Sequence, residues 1–311
     1  MKITKQNRLW LGLGSVAVVG VCLYASSKLV RRYMATLPRS NADHYLQVDN
    51  LKRAYDLYVP SSYNGDRPVP LVLALHGVGG DGSTMEQQTG FNQLAERDGF
   101  IVVYPDAVNR HWHSRRNSQP DPHNDIGFIA TLIDDLSQRY SIDRRRIYAT
   151  GFSNGGIMTH RLACELSDKV SAIAVVSAAI PEFVSRNCQS NQPISVLLIH
   201  GTKDDAIAYA TPGGGLRSVP DTLKHWSDHN RCTSPIVQPS SAKTANVKVQ
   251  TYKSCAKQTQ VTLHSIQGGG HEWPRADSKT TNATTPTHSF DASTVIWDFF
   301  QQSPNQPSSI Q

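Results

Sequence analysis

Residues 146–160 read RIYATGFSNGGIMTH: a β-branched and aromatic run, a Gly151-x-Ser153-x-Gly155 junction, then a helix-like run. A strand that turns directly into a helix holds the residue at the corner in a tight, strained conformation with its side chain exposed. The positions two before and two after that corner must be small, because the backbone on either side passes too close for a larger Cβ. Both are glycine here. Gly-x-Ser-x-Gly arises by chance in many chains, so the flanking strand and helix are what give it weight. Ser153 is thus the predicted nucleophile; the bland alternative is a plain Gly-rich turn.

Working outward, apolar β-branched runs recur at 55–59, 71–75, 101–104, 172–176, 195–200 and 260–266, and read as strands like 146–150. Helix-like stretches at 85–97, 126–140, 155–165, 220–229 and 292–301 separate them. That alternation predicts an α/β fold, with a mostly parallel sheet covered on both faces. Residues 35–50 read as a linker or edge segment, 35–302 as one catalytic domain without a large lid domain, and 303–311 as a disordered tail. The Lys-rich stretch 233–257 reads as a solvated excursion.

A serine hydroxyl is a poor nucleophile near neutral pH unless a base removes its proton. After a nucleophile elbow, the acid and then the base are expected later in the chain. The strand ending at His200 runs into Gly201, Thr202, Lys203, Asp204 and Asp205. Asp204 is the preferred acid and Asp205 the fallback, Asp205 suiting a helix-capping role better. His271, in the Gly-rich run GGGHEWP at 268–274, is the predicted base, because the glycines let its loop fold over the sheet edge. Trp273 would wall the cleft beside it. His264 and His200, within and at the end of strands, suit structural roles. Two backbone N–H groups should face the developing oxyanion: that of Asn154 in the elbow, and that of Val78 in the LHGVGG run at 75–80. No GK[ST] or GxGxxG follows that loop, so a nucleotide is a weak reading.

Charge narrows the partners. The chain has 31 Lys and Arg against 25 Asp and Glu, a formal net charge of +6, but residues 1–34 contain six basic side chains and no acid. The body is therefore near neutral, which argues against nucleic acid as a partner. Lys2, Lys5 and Arg8 precede a largely apolar run at 9–25, the order of an export leader. Its length lies between a signal-peptide core and a membrane span, so residues 1–34 fit either a cleaved leader or an anchor through 9–25. Four cysteines follow: Cys164, Cys188, Cys232 and Cys255. An even number in an exported chain implies disulfides, and Cys232 with Cys255 is preferred because they flank the polar excursion, leaving Cys164 with Cys188. No cysteine pair has zinc-site spacing. His111, His113, Asp121, His123 and Asp125 are too irregularly spaced to suggest a metal, and neither metal nor cofactor is expected.

Several segments also occur in a shared order: LHGVGGDG, YPDA with a later Trp112, NDIGFI, RIYATGFSNGGIMTHRLACELSD, IHGTKDD, WSDHNRC, GGGHEWP and VIWDFF. Together they resemble the secreted polyhydroxybutyrate depolymerase family of the α/β-hydrolase superfamily, kin to feruloyl and acetylxylan esterases, over about residues 45–302. The resemblance implies Ser153, Asp204 and His271 as a triad, Val78 and Asn154 as oxyanion donors, Trp273 at the substrate cleft, and a Cys232–Cys255 pair. It implies an exported serine ester hydrolase for small or oligomeric ester substrates. The doubled aspartate departs from the family pattern, Asp205 standing after the triad aspartate where members often have proline. So does the lack of a separate substrate-binding domain, which disfavours crystalline polyester and leaves oligoesters, feruloyl esters and acetylated xylan open. RHWHSRRNS at 110–118 could meet a substrate carboxylate or phenol through Arg110, Arg115 or Arg116, with Trp112 stacking on a ring; a solvated basic loop is the plainer reading. A non-catalytic glycan-binding protein on a hydrolase fold is the remaining functional alternative.

Overall fold

A computed structural model describes residues 38–114, 120–190, 192–211, 213–233, 235–238, 246–275 and 290–303. The leader at 1–34, Arg115 and Arg116, and nearly all of the tail lie outside these residues. Arg39–Gln311 forms one compact unit; Met1–Pro38 is the other, with only Pro38 described. Among the described residues no helix is long and apolar enough to cross a membrane.

The strands are β1 (His44–Val48), β2 (Leu51–Tyr58), β3 (Val69–Leu75), β4 (Ile101–Pro105), β5 (Ile142–Phe152), β6 (Ala172–Val176), β7 (Ser195–Gly201), β8 (Ile236–Gln238), β9 (Val247–Tyr252) and β10 (Val261–Ile266). They form one sheet in the order β1-β2-β4-β3-β5-β6-β7-β10-β9-β8. From β4 through β10 in that order the strands run parallel, and antiparallel strands flank both sides. All the predicted strands form. Strand β5 is longer than expected and runs directly into Ser153.

The alternation of side chains along β3 explains the two-faced core. Leu71, Leu73 and Leu75 enter one hydrophobic cluster, whereas Val72 and Ala74 enter the other. The first face is covered by α3 (Asp125–Arg139), α4 (Asn154–Glu165), α5 (Glu182–Asn187) and α6 (Val219–His229). The second is covered by α1 (Gly82–Thr89), α2 (Phe91–Asp98) and α7 (Ala292–Gln301).

The single helix expected over 85–97 is two. Gly90, at φ +63, ends α1 in the left-handed conformation, and α2 starts at the next residue. Asp81 starts α1 with a capping box, accepting from the Thr84 N–H while the Thr84 hydroxyl receives the Asp81 N–H. The polar excursion at 233–257 contains β8 and β9, which extend the sheet. Val247 and Thr251 point inward while Lys248 is exposed, the alternation of an antiparallel strand with one wet face, and this is why it read as solvated. Cys232–Cys255 and Cys164–Cys188 are both bonded, the first closing this extension and the second tying the end of α4 to the residue after α5.

His160, on α4, is fully buried and accepts the Trp226 indole N–H of α6 at Nδ1. Burial lowers its pKa from about 6.5 to about 3. Between those values the unfolded chain holds a proton that the folded chain refuses, so acidification from pH 6.5 towards 4 removes stability, with a slope approaching about 1.4 kcal/mol per pH unit. His160→Gln retains an acceptor for Trp226 without the titration. Denaturant unfolding of both proteins at pH 7, 6 and 5 should show a shallower acid loss in the variant.

Candidate active site

The carboxyl ends of β3, β5, β7 and β10 converge on Ser153. Its φ of 53° and ψ of −117° lie outside the usual wells for an L residue, as an elbow requires. Surrounding contacts hold this strain. The Ser153 N–H donates to the Val176 carbonyl at 3.0 Å, and its own carbonyl accepts the Ile157 N–H at 2.9 Å. A Cβ on Gly151 would collide with the backbone of Gly155, and one on Gly155 would collide with the carbonyls of Leu75 and His76. The predicted need for small residues at both positions is therefore met by backbone-to-backbone contact.

His271 lies across from the serine: its Nε2 accepts the Ser153 hydroxyl at 2.9 Å. Its Nδ1 donates to Asp204, 2.9 Å from Oδ2 and 3.1 Å from Oδ1. Asp204, with no side-chain exposure, is the carboxylate that reaches this imidazole, and Asp205 is exposed. Asp204 Oδ1 also accepts the N–H groups of Ala206 and Ile207, at 3.0 and 2.8 Å. Burial alone would raise the Asp204 pKa, but the donors His200, His271 and Ile207 outweigh it and hold the carboxyl well below the ordinary carboxylate range. Asp204 thus stays ionised while it accepts the His271 Nδ1–H.

The loops after β7 and β10 are joined to each other. The N–H of Lys203 donates to the Gly269 carbonyl, that of Thr202 to Ile266, and that of Gly268 to the Thr202 hydroxyl, each at 2.9 Å. A Cβ on Gly201 would run into the Gly269 carbonyl, and Gly268 turns at φ +75. Of the three glycines before His271, these geometric demands fall on the first two. Ser177, itself at φ +50, donates its hydroxyl to the Glu272 carbonyl at 3.1 Å and so fixes the far side of the histidine loop.

The loop after β3 abuts the nucleophile: a Cβ on Gly77 would lie 3.5 Å from that of Ser153. His76 braces it from beneath, accepting the Ala107 N–H at Nε2 and donating from Nδ1 to the Gly77 carbonyl. Burial pushes this imidazole's pKa down, which suits a neutral ring that both accepts and donates. The Gly79 N–H bonds to the Arg110 carbonyl and the Gly80 N–H to Gly77, while no acceptor among the described residues takes the N–H of Val78 or Asn154. The Val78 side chain is 63% exposed at the rim.

Two predicted contacts change character. Trp112 is fully buried, stacks near His76, and donates its indole N–H to the His76 carbonyl, so no ring face is left for a substrate. Its backbone N–H and carbonyl instead clasp the Asn154 side chain, which also donates to Ser114. Trp273 is 5% exposed, packs edge-on against Phe91, and donates to Ser293. It anchors the histidine loop in the core beside α7 and does not line an open wall. Phe152, missed in the sequence because it sits in the variable place before the serine, is half-buried with its ring 5.0 Å from that of His271. Arg110 lies at the rim, bonded to the Gly79 carbonyl and paired with Asp81.

The acids and histidines between 111 and 125 do not gather around a metal. Asp125 pairs with buried Arg53, and Asp121 pairs with Arg161. Among the described residues no group of three or more His, Cys, Asp or Glu side chains is placed to hold a metal ion.

The sequence matches the family model described as Esterase PHB depolymerase over residues 53–228. It is 26% identical over 261 residues to a bifunctional acetylxylan esterase/xylanase of Neocallimastix patriciarum, covering 83% of this chain and 34% of that protein. It is 28% identical over 227 residues to feruloyl esterase B of Piromyces equi, covering 68% of this chain and 41% of that one. The chain thus spans less than half the length of these two relatives. Among solved structures, the acetyl xylan esterase from Aspergillus awamori superposes with a TM-score of 0.58 at 18% identity, covering 72% of this chain and 90% of the other. The shared fold is the α/β-hydrolase fold.

The two neighbouring aspartates offer a direct check. Asp204→Asn should lower kcat on a short-chain nitrophenyl ester by about 10⁴-fold, because an amide can hold the imidazole in the wrong tautomer. Asp205→Asn, on an exposed side chain, should stay within about twofold of the parent.

Proposed function

This chain belongs to the Esterase PHB depolymerase family, and within it we propose that the protein is an exported serine carboxylic-ester hydrolase working through an acyl-enzyme. The observation that carries the proposal is the continuous hydrogen-bond chain from the Ser153 hydroxyl through His271 to Asp204. Ser153 Oγ attacks the ester carbonyl carbon while His271 Nε2 takes its proton, and Asp204 holds the Nδ1–H and stabilises the imidazolium. The carbonyl oxygen, now an oxyanion, is received by the N–H groups of Val78 and Asn154; loss of one such donor elsewhere costs about 2.7–4 kcal/mol of transition-state stabilisation. The tetrahedral intermediate collapses, the alcohol leaves with the proton from His271, and the acyl group stays on Ser153. Water, deprotonated by the same imidazole, then attacks the acyl-enzyme and releases the acid. No metal or cofactor enters this scheme.

Two disulfides support folding in an oxidising compartment, in keeping with the basic-then-apolar order of the leader. The family membership favours short hydroxyalkanoate oligoesters as substrates. The relatives named for feruloyl and acetylxylan ester hydrolysis favour a second reading, acyl groups on plant polysaccharide.

Ser153→Ala should abolish nitrophenyl-ester hydrolysis and fluorophosphonate labelling while leaving the thermal transition within about 2 °C of the parent. A panel of hydroxybutyrate oligomers, feruloylated arabinoxylan and acetylated xylan, compared by kcat/KM, separates the two substrate readings. If the parent protein neither labels nor hydrolyses any of them, a non-catalytic glycan-binding role replaces both.

A further inference from the structure

His200 is the penultimate residue of β7 and is 1% exposed. Its Nε2 lies 2.8 Å from the Ile207 carbonyl and 3.2 Å from Asp204 Oδ2. Both neighbours only accept, so this nitrogen carries the hydrogen and shares it between them. The other ring nitrogen, Nδ1, is buried without a hydrogen-bond partner among the described residues. The ring stands edge-on to Tyr209, 5.9 Å between centroids, and the Tyr209 hydroxyl is tied to Ser265 on β10. A histidine needed only to satisfy the Ile207 carbonyl would have no reason to share its one hydrogen with the acid of the site.

We propose that His200 is a positioning residue for the reaction proposed above, and the inference rests on that reading. It acts through Asp204. Oδ1 of that carboxylate is fixed by two backbone N–H groups, whereas Oδ2 receives the hydrogens of His271 and His200. Without His200, Oδ2 keeps only the donor it is meant to orient, and rotation of the carboxylate about its Cβ–Cγ bond is resisted by the two N–H groups on Oδ1 alone. His200 also holds the Ile207 carbonyl while the Ile207 N–H holds Oδ1, so the turn 204–207 closes on both the histidine and the carboxylate. The ring therefore sets the direction in which Asp204 accepts from His271. It touches neither substrate nor the reacting atoms.

The test compares His200→Leu, which fills the space without a donor, with His200→Gln, whose amide nitrogen can reach the place of Nε2. Both are made in the full chain. In His200→Leu, kcat for a short-chain nitrophenyl ester should fall about ten- to hundredfold, the range of one hydrogen bond to a charged group, with KM within about twofold. His200→Gln should recover most of that loss even if its unfolding midpoint drops as far as that of the leucine variant. In the parent, ¹⁵N spectra of labelled histidine should show His200 as the Nε2–H tautomer. Equal kcat in leucine variant and parent, equal loss in both variants, or an Nδ1–H tautomer would each overturn the inference. Should the leucine variant not fold, the glutamine variant decides with the tautomer, and a hundredfold loss of its kcat at unchanged stability counts against the inference. A parent that neither labels at Ser153 nor hydrolyses esters defeats the function itself, a result separable from these comparisons.

Discussion

Backbone closeness at the carboxyl edge of the sheet is the constraint on which the rest of the structure depends. Ser153 occupies a conformation that isolated residues avoid, and strain of this kind costs about 1–3 kcal/mol unless its surroundings hold it. Here β5, the first turn of α4 and the end of β3 approach so closely that Gly151 and Gly155 leave no space for a Cβ. The same closeness brings the loop at Gly77 against the serine. Ser153 and the loop after β3 are thus neighbours because β3 and β5 are neighbours in the sheet.

A second closeness, between Gly201 and Gly269, joins the loop of Asp204 to the loop of His271 before either side chain is considered. The hydrogen bonds of Thr202, Lys203 and Gly268 then fix their spacing. Asp204 consequently sits in a buried pocket with four donors arranged about it: two backbone N–H groups, His200 and His271, with His271 shared by both oxygens. Leaving such a charge unpaired would be costly, so the hydrogen bonds that orient the base also make the buried acid tolerable.

Buried polar groups around Trp112 and His113 brace the residues beside Ser153. Arg53 pairs with Asp125, whose other oxygen accepts the His113 N–H. Arg161, on the nucleophile helix, reaches the His113 carbonyl and Asp121. Asn154 clasps Trp112 from the first residue of the same helix. The side chain of Asn154 is thereby occupied in structure, leaving its backbone N–H for the oxyanion role proposed above.

Sequence by itself determined the central strands and most of the helices, the corner serine and the chemical types of its partners, because these follow from local rules: the period of apolar residues, the small residues an elbow needs, the glycines around His271. It also paired the cysteines correctly from the polar character of the segment they enclose. It preferred Asp204 but kept Asp205 as a fallback, since neighbours along a chain differ little until a loop is folded. It placed Trp112 and Trp273 at a cleft, because an indole beside a functional motif reads the same whether its ring is wet or buried. Only the tertiary structure decided these, by supplying neighbours remote in sequence: Gly269 against Gly201, Ser293 beneath Trp273, His76 against Trp112, and His200 behind the acid. Local composition fixes what a segment can become, while burial and hydrogen-bond partners exist only after distant segments have met.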